Sequence, residues 1–432
     1  MRPVMLLPIL ICTAGCAHLG AEPMTFRCED LLGEHVQTYQ GTPLIAELQE
    51  YAGEDDGPRE AKSFGSGPNA PEATNLSKDA VVRALSASAD RLRQSPPTTL
   101  MLSGGGSWGA FGAGFLDAYG RRDWNVVTGI STGALQGVLV AAGDYSRLVE
   151  EYGIKAQEDL ARTNSLTGFL AKGSQYDIRP LRHRVLKYLL EEKDGQLPFD
   201  RMARDGAPAL FVGMVEARTG ELKVVAVTQM VRSVFKPAAP RPSEARVRQL
   251  AECVAGVTLA SSSIPVRLTP VQIDGRTYMD GGVRSSVFDA GIAERVSFAA
   301  DAAPEKGVKV EPSDIYVLRN GPTVVFRDKP GKSGEAEVDE RPDAMRVGLR
   351  GYSTIVNQSE LMSIASLRLI YPKGTIKVMT ADGFNSTQNP KPCGPRPEAV
   401  FEPAFMTCLI EWGRYRAANA PWIELSAVGR RR

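Results

Sequence analysis

The chain has 432 residues, 43% hydrophobic and 23% charged, an ordinary globular composition with room for two domains or one large α/β domain with extensions. Its 51 basic and 50 acidic residues leave a net charge of +1, so nothing in the composition calls for a nucleic-acid partner. The one sharp charge run, Arg430-Arg431-Arg432, reads as a solvated tail.

Residues 1–23 read as an export signal, not as part of the fold. Arg2 supplies a positive start, and Val4 to Cys12 is apolar but too short to cross a bilayer. Thr13-Ala14-Gly15-Cys16 resembles a bacterial lipobox, whose cysteine becomes the lipidated N-terminus. Thr13 departs from the usual leucine, and cleavage after Ala21 is the alternative. The expectation is an exported protein, periplasmic or held at the outer membrane through lipid on Cys16, with soluble secretion as the other outcome. No later stretch is apolar enough to span a membrane, which leaves lipid or an interfacial surface as the means of attachment. Cys28, Cys253, Cys393 and Cys408 remain once Cys12 and Cys16 are set aside. Cys393 and Cys408 lie close together in a Pro- and Gly-rich region and form a candidate disulfide, two unrelated thiols being the alternative. With no Cys-x-x-Cys or His-x-x-x-His spacing, no zinc site is expected.

Residues 24–97 form an N-terminal extension and linker: Glu54 to Ala73 is loose in composition, and Leu76 to Gln94 carries one helical face before Ser95-Pro96-Pro97. Thr98 to Leu102 reads as a buried strand feeding Ser103-Gly104-Gly105-Gly106-Ser107-Trp108-Gly109, and Ala110 to Tyr119 as a helix. A strand, a glycine turn and a helix start gather free N–H groups and a positive dipole end at one point, which suits an anion. Gly104, Gly106 and Gly109 also fit a dinucleotide-binding loop, with Asp123 placed 17 residues beyond Gly106.

The next segment decides between these readings. Val126 to Leu135 is a short apolar strand, then Gly129-Ile130-Ser131-Thr132-Gly133, then the start of a helix, the context of a nucleophile elbow. Gly129 and Gly133 leave space where larger side chains would clash at the sharp turn. A loop of N–H donors beside an exposed serine is better explained as an oxyanion hole than as a nucleotide cradle.

Ala134 to Tyr152 reads as one buried helix after the serine. Residues 153–200 are more polar, with a helix from Leu181 to Glu192, and read either as a lid or as plain surface helices. Ala209 to Val215 and Glu221 to Val227 form a hairpin through Arg218-Thr219-Gly220, and Pro237 to Ser243 is a loop. Ala251 to Leu259 is helical and ends in Ala260-Ser261-Ser262-Ser263-Ile264-Pro265. Asp274-Gly275 marks a tight turn between two strands, and the second ends at Asp280, with Gly281 and Gly282 letting the chain turn. A carboxylate in that position is otherwise a turn or cap residue. Further on come a strand at Ile315 to Leu318, a loop at Lys329 to Asp343 and a long helix from Met345 to Leu369. A strand at Thr375 to Met379 and a helix from Glu398 to Ala418, interrupted near Pro403, complete the chain.

The histidine inventory restricts the chemistry. Only His18, His35 and His183 occur, and an α/β-hydrolase triad needs its histidine after the acid, so that arrangement is excluded. His183, between two arginines on an amphipathic helix, reads as a surface residue. The serine then needs another base, and Asp280 is the best-placed carboxylate, provided its site is dry enough to raise its basicity.

The set Gly104-Gly105-Gly106-Ser107-Trp108-Gly109, Gly129-Ile130-Ser131-Thr132-Gly133 and Asp280-Gly281-Gly282 resembles the patatin-like phospholipase family, as does the run at 260–265. The resemblance spans about residues 98–290. It implies a three-layer α/β/α sandwich with a mostly parallel central sheet, a catalytic core over 98–300 and a C-terminal part over 301–432. It also implies a Ser131–Asp280 dyad, an oxyanion hole from Gly104, Gly105, Gly106 and Ser107, and hydrolysis of lipid acyl esters without a cofactor or metal. One departure is Trp108, where the family often has Arg or Lys, which puts a charge-based preference for phospholipid headgroups in doubt. The alternatives are a lipid-binding lipoprotein with weak turnover and a nucleotide-binding enzyme using the glycine loop. Acyl chain, headgroup and oligomeric state stay open.

Overall fold

The centre of the protein is built from short runs that are apolar on both faces, the pattern of a parallel sheet covered by helices on each side. A computed structural model describes residues 23–33, 35–39, 98–165, 169, 173–236, 239–289, 314–324, 344–371, 374–395, 397, 399–419 and 421–425. The expected signal with Cys16, the linker at 54–73, the helix at 76–94 and the loop at 329–343 lie outside the described residues.

The strands are β1 (Met24–Phe26), β2 (Val36–Thr38), β3 (Thr98–Leu102), β4 (Val126–Ile130), β5 (Arg162–Thr163), β6 (Tyr176–Asp177), β7 (Ala209–Glu216), β8 (Leu222–Ala226), β9 (Val271–Ile273), β10 (Arg276–Asp280), β11 (Asp314–Leu318), β12 (Thr375–Met379) and β13 (Ile423–Glu424). The helices are α1 (Asp30–Gly33), α2 (Gly109–Tyr119), α3 (Thr132–Ala141), α4 (Tyr145–Tyr152), α5 (Arg179–Leu190), α6 (Pro198–Ala203), α7 (Val227–Val234), α8 (Glu244–Ser261), α9 (Ala344–Ile370) and α10 (Pro403–Asn419). Strands run β1-β9-β10-β7-β4-β3-β11-β12-β13 across the main sheet, with β8 on β7 and β2 on β8. The stretch β7-β4-β3-β11-β12 is parallel throughout, and antiparallel pairing is confined to the flanks. The α/β/α fold is therefore present, and its parallel middle includes two strands that follow residue 300 in the chain.

Alternation along the strands sends side chains to two cores. Leu100, Leu102, Val127, Leu210, Val212, Met214, Leu318 and Met379 join residues of α2, α3, α8 and α10 on one face. On the other, Met101, Ile315, Val317, Ile376 and Val378 pack against Ile364 and Leu367 of α9, and Ile130 and Phe211 against Phe288. Helix α2 is buried at every residue from Gly109 to Leu116, as suits a helix between sheet and outer helix. It crosses α10 at contact distance: a Cβ on Gly114 would lie 2.1 Å from the Ile410 carbonyl oxygen, and one on Gly413 equally close to that of Phe111.

Several boundaries differ from the sequence expectations for local reasons. The helix after the serine is two helices, broken at Gly143, whose φ is 74°. Pro180 opens α5, since its missing N–H costs nothing in a first turn. Helix α8 begins seven residues before Ala251, where the Ser243 hydroxyl caps it by accepting from the Arg246 N–H. Pro403 likewise starts α10 and does not interrupt it. Disulfides join Cys28 to Cys253, tying the end of β1 to α8, and Cys393 to Cys408 on α10. The first of these is a pairing that the sequence reading left unassigned. Among the described residues no helix is long and apolar enough to cross a membrane.

Candidate active site

One strand acts as the ruler that brings the two sequence-predicted groups together. Along β7, residues 209–213 pair with β4, so Gly213 faces Ile130 and the chain leaves the sheet at Ser131. The next residue of β7, Met214, pairs with Asp280 of the oppositely directed β10. The C-terminal ends of β4 and β10 thus meet head-on, which brings the Ser131 side chain near enough to the Asp280 carboxylate to pull its pKa down. Both side chains are 4% exposed.

Ser131 has φ 54° and ψ −125°, a conformation costly for a residue with a Cβ and held here by its surroundings. Its N–H donates to the Ser261 hydroxyl at 2.8 Å, and that hydroxyl donates to the Gly213 carbonyl at 2.6 Å. A Cβ on Gly133 would stand 2.2 Å from the Leu102 carbonyl oxygen, so the helix start approaches the neighbouring strand as only glycine permits. Asp280 is fixed from the same serine run, its N–H donating to the Ser263 carbonyl at 2.9 Å. Its Oδ1 also accepts from the Gly282 N–H at 2.7 Å. Gly281 and Gly282 differ from expectation: neither has positive φ, and Gly281 is small because a Cβ would strike Ile130 Cδ1 at 2.5 Å.

Burial raises the Asp280 pKa from 3.8 to about 6, against the opposing pull of the nearby Ser131 side chain and the Gly282 hydrogen bond. A hydroxyl on such a carboxylate can pass it a proton as the oxygen attacks an electrophile, because the carboxylate is a stronger base than one in water.

The glycine loop leaves β3 at the same edge, Leu102 being paired with Gly129. Gly104 lies against the serine, since a Cβ there would be 3.3 Å from Ser131 Cβ. Gly105 is exposed and Gly106 half-buried, and among the described residues no oxygen accepts from either N–H. Ser107 and Gly109 are buried in the turn into α2. The loop is braced from the far side of β3 by Asn320, which follows β11. Asn320 Nδ2 donates to the Ser103 carbonyl at 2.7 Å and to Gln136 Oε1 at 2.9 Å, and Gln136 Nε2 returns a bond to Asn320 Oδ1 at 3.2 Å. Trp108 is 4% exposed and its indole meets Phe384 and Phe405 edge-on at 4.8 and 5.3 Å. It anchors the loop to the C-terminal part of the chain.

Ser131 sits between two cavities. One, about 100 Å³, is almost wholly apolar, walled by Leu135, Val138 and Leu139 of α3, Leu181, Val185 and Tyr188 of α5, and Met406 of α10. The other, about 150 Å³, is the more polar of the two and is lined in part by Asp280, Arg267, Arg319, Asn320, Tyr352 and Glu360. Gly106, Ser131, Ile264 and Val400 line both. A larger hollow of about 440 Å³ beside Gln196, Arg204 and Arg241 contains neither Ser131 nor Asp280. His183 lies exposed on α5 and lines neither cavity next to Ser131.

The sequence reading named Ser131, Asp280 and the glycines but missed Ser261, Gln136, Asn320 and Arg267. Ser261 stood in a run already singled out. Nothing local marks Asn320, which reaches the loop only through the pairing of β11 with β3.

An α/β/α sheet with a serine elbow and a glycine loop at its C-terminal edge defines a class of protein, and the comparison narrows it. Residues 100–289 match the family model described as patatin-like phospholipase, and the chain carries a domain of that family. No curated protein matches the chain at a significant level.

Proposed function

We propose that the protein is a serine lipid acyl hydrolase that cleaves carboxylic esters of phospholipids or related lipids through a Ser131–Asp280 dyad. The observation that carries the reading is Ser131 at the end of β4, sharing a cavity with a buried carboxylate, Asp280, whose pKa is raised to about 6. Ser131 Oγ attacks the ester carbonyl while its proton moves to Asp280. The oxyanion that forms is held by the free N–H groups of Gly105 and Gly106, with Gly104 and Ser107 shaping the loop around them. Collapse breaks the bond to the leaving alcohol, which takes the proton from Asp280. Water then gives a proton to Asp280, attacks the acyl-enzyme and releases the acid, and Ser131 recovers its proton. The apolar cavity beside Ser131 supports an acyl chain as the group transferred, and the family match supports a lipid substrate. Each oxyanion donor is expected to contribute about 10²–10³ in rate. Neither the oxyanion loop nor the dyad calls for a cofactor.

The same reading includes export with Cys16 as a lipidated N-terminus, and the two disulfides support an oxidising compartment.

Hydrolysis of p-nitrophenyl esters and defined phospholipids tests the dyad. Ser131→Ala is expected to abolish turnover and labelling by a fluorophosphonate, and Asp280→Asn to lower kcat by about 10²–10⁴-fold. His183→Ala is expected to keep most of the activity. A strong loss in the His183 variant with its fold unaltered overturns the assignment.

A further inference from the structure

The polar cavity contains two arginines in different situations. Arg319 is 2% exposed and ion-paired: Nη1 donates to the Pro322 carbonyl, Nη2 to Asn357 Oδ1, and Nε, although without a hydrogen bond, lies 3.2 Å from Glu360 Oε1. Its charge is neutralised by Glu360, itself 6% exposed. Arg267 lines the same cavity, and among the described residues it has no carboxylate within ion-pair distance and its buried Nε has no hydrogen-bond partner. The residue is half-buried, and the one buried N–H without an acceptor, at Nε, is a cost that a ligand oxygen can relieve.

The backbone presents this arginine deliberately. Val266, the residue before it, has φ 68°, which for a β-branched side chain is an outlier sustained only by its surroundings. The strain lies in the turn between the serine run and β9. The backbone N–H of Tyr176 pins the Arg267 carbonyl at 2.8 Å, which fixes the residue's main chain. Tyr352 of α9, Asp280 and Arg267 all line this cavity. The remaining charges there are Asp280, neutral once it holds the serine proton, and the Arg319–Glu360 pair, which cancels.

We propose that the polar cavity is an anion subsite for the leaving group, with Arg267 holding a phosphate ester carried by the alcohol that departs from Ser131. Trp108 brings no charge to the glycine loop, its indole being packed against Phe384 and Phe405. Arg267, which lines the same cavity, supplies a positive charge there. The acyl chain occupies the apolar cavity, the scissile carbon sits at Ser131, and the phosphate reaches Arg267. The proposal rests on the hydrolase reading for the identity of the leaving group but not for the binding of the anion.

Two measurements separate those layers. With lysophosphatidylglycerol and the monoacylglycerol of the same acyl chain as substrates, Arg267→Gln is expected to lower the ratio of kcat/KM for the phospholipid over the glyceride by about 10–100-fold, as loss of a charge-assisted hydrogen bond predicts. Arg267→Lys is expected to recover most of that ratio. An unchanged ratio overturns the leaving-group assignment. Calorimetric titration of Ser131→Ala with sn-glycerol 3-phosphate needs no turnover: binding is expected, and its loss in Ser131→Ala/Arg267→Gln. Inorganic phosphate binding as tightly as glycerol 3-phosphate, with the substrate ratio unmoved, overturns the leaving-group assignment in favour of a free-anion site. If wild type hydrolyses no ester yet glycerol phosphate binds through Arg267, the hydrolase reading fails and the subsite stands. No binding in either variant overturns the subsite itself.

Discussion

Burial makes Asp280 an expensive carboxylate to keep. Its pKa rises from 3.8 to about 6 on folding, so the folded state binds the proton more tightly than the unfolded chain does. The stabilisation linked to that proton is fully present below about pH 4 and is lost as pH rises through about 6. At neutral pH the ionised group therefore destabilises the fold by up to roughly 3 kcal/mol, at about 1.4 kcal/mol per unit. Asp280→Asn is expected to gain stability relative to wild type as pH rises from 4 to 8, read as a widening difference in urea midpoints. The same shift sets the rate profile: kcat/KM should climb with pH through a midpoint near 6, because the base must be ionised to accept the serine proton. A flat profile between pH 5 and 8 would separate Asp280 from the proton transfer. An inactive variant that is more stable than its parent is the signature of a residue kept for function.

Elements decide what a reader of sequence can see. Strands β3, β4, β11 and β12 are apolar runs bounded by turn residues, so each is legible within a residue or so. Ser131 and Asp280 are legible because glycines mark both strand ends, and the absence of a late histidine narrows the choice of base. The bracing of the glycine loop is not legible, since it depends on β11 lying beside β3 across more than 200 residues of chain. The Cys28–Cys253 pairing is hidden for the same reason, although setting Cys393 with Cys408 leaves those two as partners by elimination. The hidden contacts have a measurable consequence at the loop. A Cβ on Gly105 would lie 1.9 Å from the Asn320 carbonyl oxygen, so the two segments are in contact with no slack. Asn320→Ala removes the amide pair with Gln136 and frees the Ser103 carbonyl, leaving buried groups unpaired at roughly 1–3 kcal/mol each. If Asn320 positions the oxyanion donors, kcat should fall by about 10²-fold with little change in KM, as expected for a displacement near 1 Å. A fall in stability with kcat untouched would make Asn320 a packing residue only.

At the scale of the whole molecule, the family match ends at residue 289 but the sheet does not. Strand β11 pairs with β3 over five residues and β12 with β11 over five more, and α9 covers the second face of the sheet. A chain ending at residue 300 would leave β3 as a bare apolar edge with Met101 uncovered, a template for aggregation. Such a chain is expected to be insoluble or to show no cooperative melting, whereas a soluble, active fragment would mark the matched segment as self-sufficient.

The position of β11 also bears on synthesis. The ribosome delivers Ser131 and Asp280 well before β11 and β12, the strands that complete the sheet around the glycine loop. At ~5–20 residues per second, the ~100 residues between Asp280 and the end of β12 occupy ~5–20 s. For the first 40 of those residues, until Asn320 itself is made, the nucleophile and its carboxylate exist without the Asn320 brace. The order of the strands therefore makes completion of the site depend on the C-terminal part of the chain, the last to be made.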